Sequence, residues 1–463
     1  MAKNDPQKQK IVLREGQVIQ FPIRRLGING EGVGYYQKKV IFVEGAIPGE
    51  KVLAKITQVD HKFAKAKLLQ IKKRSAYRVD PRCPVYEECG GCQLQHIDRR
   101  LQLRLKRELI EEAFSRYTTL TEIPIEKTVR MDDPWSYRNK AQLPLKRTGS
   151  KVAMGMFSAR SHHLVDLSEC LVQHPIVTQV LNKVRSLVEE LQIPIYEEKK
   201  HTGSLRHLVA RVALATEEVQ LVLVSRTPSF KKEKELVAKI RKSLPQVTSI
   251  IYNLNPEKTS LIFGEETRVL WGKEKIEEQL GDIRYLLSAR AFFQLNPVQT
   301  EKLYDQVKQA AQLSGNEIVV DAYCGVGTIG LWLADQAKRV IGMDIIPEAV
   351  ADAKENALLN EYQHVEYVLG KAEKLLPQWL EEGLKPDVIV VDPPRVGLEP
   401  ALIQALLQVK VKRFIYVSCN PSTLAKDSRQ LIQGGYQLEK IVPLDMFPQT
   451  AHVESVSTFT WKD

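Results

Sequence analysis

Apolar and polar positions follow three rhythms along this chain, and each predicts a different architecture. From residue 11 to 74, short apolar runs at 16–21, 39–43, 51–56 and 63–71 alternate in and out and are separated by glycine turns at 27–34 and 45–49. A period of two with close-set turns predicts a small β-barrel. From 141 to 280, alternating segments such as 210–215 and 219–224 predict a β-rich central domain with one or two helices. From 281 onward the rhythm becomes strand, glycine-rich turn, helix, which predicts an α/β domain of Rossmann-like type. Residues 99–116 stand apart: Leu101, Leu105, Ile110 and Phe114 recur near helical spacing among arginines and lysines, the pattern of a basic amphipathic helix.

Composition adds location and partners. The chain has 463 residues, 43% hydrophobic and 27% charged, enough for two to three globular domains. No stretch approaches the roughly 20 apolar residues of a membrane span, and residues 1–10 lack an apolar leader core, so a cytoplasmic protein with no membrane association is expected. The net charge is +11, and residues 1–74 hold 16 Lys and Arg against 6 Asp and Glu. Charge concentrated this way suits a polyanion, and Tyr35, Tyr36, Phe42 and His61 among the lysines offer stacking surfaces for bases.

The candidate chemistry lies at strand ends. The run 317–321 leads into a loop holding Gly325 and Gly327; the run 340–344 ends on Asp344; 387–391 delivers Asp392-Pro393-Pro394-Arg395; and 414–417 delivers Ser418-Cys419-Asn420-Pro421. In an open α/β sheet the crevice beyond the carboxyl ends of the strands holds the ligand, so Cys419 faces substrate and not core. A glycine loop without the full dinucleotide spacing, followed by an acid at the next strand end, favours S-adenosyl-L-methionine over a dinucleotide. Cys324, inside the loop, reads as a small packing residue.

Upstream, Cys83, Cys89 and Cys92 form a C-x5-C-x2-C cluster around two glycines, a metal-binding pattern whose fourth ligand is Cys170 or the nearer His96; spacing alone leaves zinc and an iron–sulfur cluster open. Arg138 and Lys140, beside Trp135 and Tyr137, are candidate RNA contacts, weighed against ordinary surface residues beside a core tryptophan.

Together these motifs resemble the RNA uracil-5-methyltransferases of the TrmA/RlmD type, most closely the RlmCD-like enzymes of 23S ribosomal RNA. The resemblance covers nearly the whole chain. Gly30 to Gly34 and Gly45 to Glu50 resemble the TRAM domain, an OB-like RNA-binding barrel; the rest is carried by the cysteine motif, Phe292-Phe293-Gln294 with Asn296, Asp392 to Arg395, Ser418 to Pro421, and His452-Val453-Glu454. It implies three domains: a TRAM barrel over 11–74, a central domain over 75–98 and 117–280 with the iron–sulfur site, and a class I methyltransferase domain over 99–116 and 281–463. It further implies a [4Fe-4S] cluster on Cys83, Cys89, Cys92 and Cys170, an adenosylmethionine site using Gln294, Tyr323, Asp344 and Asp392, Cys419 as nucleophile and Glu454 as base. Tyr323 stands where relatives often have Phe.

Uracil chemistry explains this inventory. C5 becomes nucleophilic only after a thiolate adds to C6, so a nucleophile, a methyl donor and a base for the C5 proton are needed together. A thiol pKa depressed by the site is expected. The target uridine must be single-stranded or flipped out, with Phe292 and Arg138 as candidate contacts. The resulting expectation is a monomeric enzyme methylating 23S ribosomal RNA. Transfer RNA as substrate and a non-catalytic ribosome assembly factor are the alternatives. An amino-methyltransferase fits less well, because Arg395 stands where its motif wants an aromatic, and a cytosine-C5 enzyme lacks its usual cysteine beside Asp392-Pro393.

Overall fold

The computed structural model describes residues 13–159 and 161–461. Residues 1–10, Ile11 and Val12 of the expected barrel, and Lys462 and Asp463 of the expected last domain lie outside them. The chain divides into two compact units. One holds the chain up to Arg82 with 92–105 and 449–451; the other holds 83–91, 106–448 and the chain from His452.

In the first unit, β1 (Val18–Leu26), β2 (Gly32–Tyr36), β3 (Lys39–Val43), β4 (Lys51–Val59) and β5 (Phe63–Lys73) close into a barrel in the order β1-β2-β3-β5-β4. Alternation puts Ile19, Phe21, Ile41, Val43, Val52, Ala54, Ile56 and Ala64 inside, while Lys51, Lys55 and Lys67 stay exposed. Gly32 is required by close approach, since a Cβ there would sit 2.5 Å from the Ala46 carbonyl oxygen. Buried Glu50 accepts from the Ile47 amide at 3.0 Å and pairs with Arg78 at 2.6 Å, locking the turn before β4.

Helix α1 (Arg99–Tyr117) crosses from the first unit into the second. Its later turns carry Ile110, Ala113 and Phe114 into a core with Val320, Met343, Ile389, Tyr416 and Phe459. The larger unit then builds one sheet from β6 (Lys140–Thr148), β7 (Lys151–Phe157), β8 (Leu164–Asp166), β9 (Leu205–Val212), β10 (Val219–Ser225), β11 (Val247–Leu254) and β12 (Glu266–Gly272), in the order β12-β11-β10-β9-β6-β7-β8. Helices α2 (Pro175–Glu190) and α3 (Glu233–Ser243) share its core. A hairpin of β13 (Ile276–Leu280) and β14 (Ile283–Leu287) leads to α4 (Pro297–Ala311).

The second sheet of this unit follows: β15 (Ile318–Ala322), α5 (Thr328–Ala334), β16 (Arg339–Asp344), α6 (Pro347–Leu359), β17 (Val365–Leu369), α7 (Ala372–Glu381), β18 (Val388–Val391), α8 (Pro400–Val409), β19 (Arg413–Ser418), α9 (Pro421–Gln433), β20 (Tyr436–Leu444) and β21 (Glu454–Trp461). Its order is β17-β16-β15-β18-β19-β21-β20, parallel from β17 to β19 and antiparallel at β21. Distinct cores cover its two faces, which is why Val388–Val391 is buried at every position. The expected α/β class with an N-terminal barrel is the fold observed. No helix among the described residues is long and apolar enough to cross a membrane.

Candidate active site

Strand polarity assembles the site. Cys419 is the first residue beyond β19 and Glu454 the first of β21. These strands run antiparallel with Ser418 opposite Ser455, so the next step of the register sets Glu454 against Cys419. Asp392 follows β18, Asp344 ends β16, and Asp321 is the penultimate residue of β15. Four carboxylates and a thiol thus gather at one edge, where the strand order turns outward from β15 on both sides.

Crowding of acids in a dry crevice sets their protonation. Desolvation, reinforced by Asp392, pushes the Glu454 carboxyl up to about 8, against the pull of Arg395 and Lys106. Desolvation alone takes Asp392 to about 7. Asp321, closed to solvent, rises to about 8 through desolvation despite the Gly330 amide it accepts at 2.8 Å. The Cys419 thiol is raised to about 11 by desolvation, then by Glu454 and Asp392, with Arg395 opposing. This corrects the expectation of a depressed thiol. Cys419 does precede the N-terminus of α9, whose dipole favours a thiolate, but burial beside two acids outweighs it.

The residues around the thiol do structural work. Asn420 caps α9 by accepting from the Ser422 amide at 3.1 Å, and its Nδ2 donates to the Arg395 carbonyl at 2.9 Å. The turn after β19 and the loop after β18 are therefore tied to each other. Asp427 holds that loop from the other side, accepting from the Leu398 amide and the Tyr416 hydroxyl, each at 2.9 Å. The Arg395 guanidinium lies 3.3 Å from Nδ1 of His452. Desolvation and the cations Arg395, Lys106 and Arg138 hold that imidazole down to about 4, so it is neutral at pH 7.

Across the edge, the glycine loop forms an open cradle. Tyr323 takes a left-handed φ of 67°, strained for a side chain of its size, and its hydroxyl donates to Glu373 at 2.6 Å. Gly325, at φ 55°, has nothing within 4 Å of where a Cβ would stand. Asp344 accepts from the Gly325 and Ile346 amides at 3.0 and 2.9 Å, bracing the loop. Ile345 and Ile346 beside it are exposed, and Asp321 Oδ1 is buried without a hydrogen-bond partner. An open glycine turn, apolar walls and an unsatisfied acid fit adenosylmethionine, an apolar-faced nucleoside carrying positive charge. The Phe292 to Asn296 motif divides its labour: Phe292 is 65% exposed, Phe293 packs on Tyr285, Gln294 is buried, and Asn296 caps α4 and donates to the Met446 carbonyl at 2.8 Å.

Burial raises the Cys89 and Cys170 thiols, and within the larger unit Cys83 lies near enough to add to both, as Cys170 does to Cys89. Backbone amides face two of the sulfurs, Gly91 toward Cys89 at 3.4 Å and Val172 and Gln173 toward Cys170. That suits thiolate ligands, although no group of three or more metal-binding side chains is arranged as a metal site among the described residues. His96, the competing fourth ligand, has Arg78 and Glu50 as its charged neighbours. Lys140 needs a correction as an RNA contact. It opens β6 opposite Arg211, is 7% exposed, and its ammonium lies 5.3 Å from the Phe263 ring centre. Arg138 is half-buried.

A family model described as tRNA (Uracil-5-)-methyltransferase matches residues 98–460, and a TRAM domain model matches 13–69. The chain belongs to the RNA uracil-5-methyltransferase family. An uncharacterized RNA methyltransferase of Halalkalibacterium halodurans is 53% identical over 98% of this chain and 99% of its own. One from Enterococcus faecalis is 49% identical over 97% and 99%. The crystal structure of Pyrococcus abyssi tRNA (uracil-54, C5)-methyltransferase with S-adenosyl-L-homocysteine superposes with a TM-score of 0.76 at 29% identity, covering 96% of this chain and all of that one. As a uracil-5-methyltransferase, the chain carries out adenosylmethionine-dependent methylation of uracil C5 in RNA. The motifs did not expose Lys106 and Asp445 as part of this neighbourhood. The available signal was Lys106 standing on the helical stripe of Gln102, Ile110 and Phe114, where a surface lysine has no place.

Proposed function

We propose that the uracil ring is methylated through a covalent adduct on Cys419, with Glu454 as the base that completes the reaction. The observation that carries this is the antiparallel register setting Glu454 against Cys419 at the sheet edge shared with the glycine loop. Cys419 Sγ bonds to C6 and the C5=C6 π pair moves into the C4 carbonyl as an enolate. Gln294, Tyr323, Asp344 and Asp392 would hold adenosylmethionine, which would supply the methyl group to C5 and leave as adenosylhomocysteine. Glu454 then removes the C5 proton, the C5=C6 bond re-forms, and the sulfur leaves. A thiol raised to about 11 must lose its proton as it adds. That proton passes to solvent, so Glu454, raised to about 8 by burial and Asp392, is left to accept the later one from C5.

The RNA is transfer RNA in our first reading. The family model and the Pyrococcus abyssi enzyme are both described by transfer RNA. The match to that enzyme covers 96% of this chain, too much to leave out the barrel, so the barrel does not favour ribosomal RNA. 23S ribosomal RNA, to which the motif resemblance points, is the second reading. The target uridine enters single-stranded or flipped, with exposed Phe292 and half-buried Arg138 offered to it. The four-cysteine site is proposed as a [4Fe-4S] cluster that supports folding or RNA placement, with Cys92 assigned by sequence spacing; the protein works as a cytoplasmic monomer.

Protein incubated with labelled adenosylmethionine and either RNA, each from cells lacking the gene, tests this directly. Five-methyluridine in transfer RNA that disappears with Cys419→Ala supports the first reading. The same nucleoside in 23S RNA moves the substrate, and no methylation of either refutes the enzyme.

A further inference from the structure

Lys106 and Asp445 form an ion pair whose side chains are both fully closed to solvent. Burying two charges carries a desolvation penalty that can exceed their attraction, so such a pair is a poor way to stabilise a core. What it holds explains it better. Asp445 begins the connection from β20 to β21 that delivers Glu454, and the Lys106 ammonium also donates to the Phe447 carbonyl at 2.9 Å. The same connection is gripped from other elements. Gln299 Nε2 donates to the Asp445 carbonyl at 3.2 Å, Asn296 Nδ2 to that of Met446 at 2.8 Å, and the Tyr137 hydroxyl to that of Pro448 at 2.9 Å. Of these anchors Lys106 brings a charge.

We propose that Lys106 is a positioning residue for the base: it fixes the connection leading into Glu454 and supplies the buried positive charge that lets that carboxylate ionise and take the C5 proton. The inference rests on the adduct mechanism above. The charged and titratable groups around Glu454 are Asp392 beyond β18, Arg395 in the following loop, Lys106 from α1 with Asp445 paired to it, the Cys419 thiol opposite in the register, and neutral His452 two residues before it. Burial first and then Asp392 oppose ionisation, while Arg395 and Lys106 favour it. Loss of Lys106 therefore moves the carboxyl further up.

The variants are Lys106→Met and, because a lone buried Asp445 could unfold the chain, the pair Lys106→Met with Asp445→Asn. Two steps are followed separately: adduct formation with 5-fluorouridine RNA, which needs Cys419 but stalls before proton removal, and release of methylated RNA in a single turnover across pH 6–9.5. The expected result in the folded double variant is adduct formation within about twofold of the parent. Release should be about tenfold slower at pH 7, with its pH midpoint raised by about one unit, the scale of one nearby charge. Release and midpoint matching the parent would overturn the positioning role and leave the mechanism standing. Failure of the parent itself to form the adduct would bring down the mechanism and this inference with it.

Discussion

The protonation of Cys419 gives the sharpest test of the site. At about 11, one thiol in roughly ten thousand is ionised at pH 7, against one in about thirty for an ordinary thiol near 8.5, a suppression of about 300-fold. Alkylation by iodoacetamide requires the thiolate, so its rate at Cys419, read by mass spectrometry on the tryptic peptide, should keep climbing from pH 7 to 9.5 without levelling, most shallowly near pH 8, where Glu454 ionises. Glu454→Gln adds a second constraint. The carboxylate that raises the thiol is itself ionised only above about 8. Removing it should accelerate alkylation roughly tenfold at pH 9, and change it little at pH 6.5, where parent and variant both present a neutral side chain. A plateau below pH 9 in the parent would refute the raised thiol. An equal acceleration at both pH values would refute Glu454 as its electrostatic cause. A protonated resting thiol also fits the chemistry, since it resists oxidation until a substrate arrives.

Asp321 should make stability fall with pH. Its carboxyl binds a proton in the folded chain from the unfolded value near 4 up to about 8, so stability present below pH 4 is lost as the pH rises through that interval. Asp321→Asn should flatten the melting-temperature profile between pH 5 and 8 and add on the order of 3 kcal/mol at the upper end; an unchanged slope would assign the effect to other acids. Asn296→Ala should cost about 2–4 kcal/mol in urea unfolding, from a lost helix cap and a stranded Met446 carbonyl; a cost below 1 would free Asn296 for a direct substrate role. Phe292→Ala should weaken RNA binding roughly tenfold while leaving single-turnover kcat near the parent's, as removal of a stacking surface does; a loss confined to kcat would place Phe292 in the chemistry instead. Cys89→Ser should abolish any broad visible absorbance and bound iron and lower solubility, and retention of both iron and solubility would exclude the cluster.

What the sequence made legible was position, because strand ends are written locally. Asp344, Asp392 and Cys419 each follow a buried apolar run and precede a turn, and the sheet order then brings them to one edge. The barrel was equally plain, its period of two surviving in the buried faces of β1, β4 and β5. Charge state was not legible, because it depends on which distant elements converge. Cys419 read as a strand-end thiol lowered by its site, whereas burial first, and then the acids at the start of β21 and beyond β18, raise it. Lys140 and Lys106 show the same limit from opposite sides. Lys140 sits in a cluster of cations and aromatics that reads as an RNA surface, yet the turn into β6 directs it inward against Phe263. Lys106 sits in a helix whose many arginines and lysines hide it, yet it reaches Asp445, far along the chain. A lysine on the apolar stripe of an amphipathic helix is therefore the local signal of a buried partner, and in this chain that partner opens the segment leading to the proposed base.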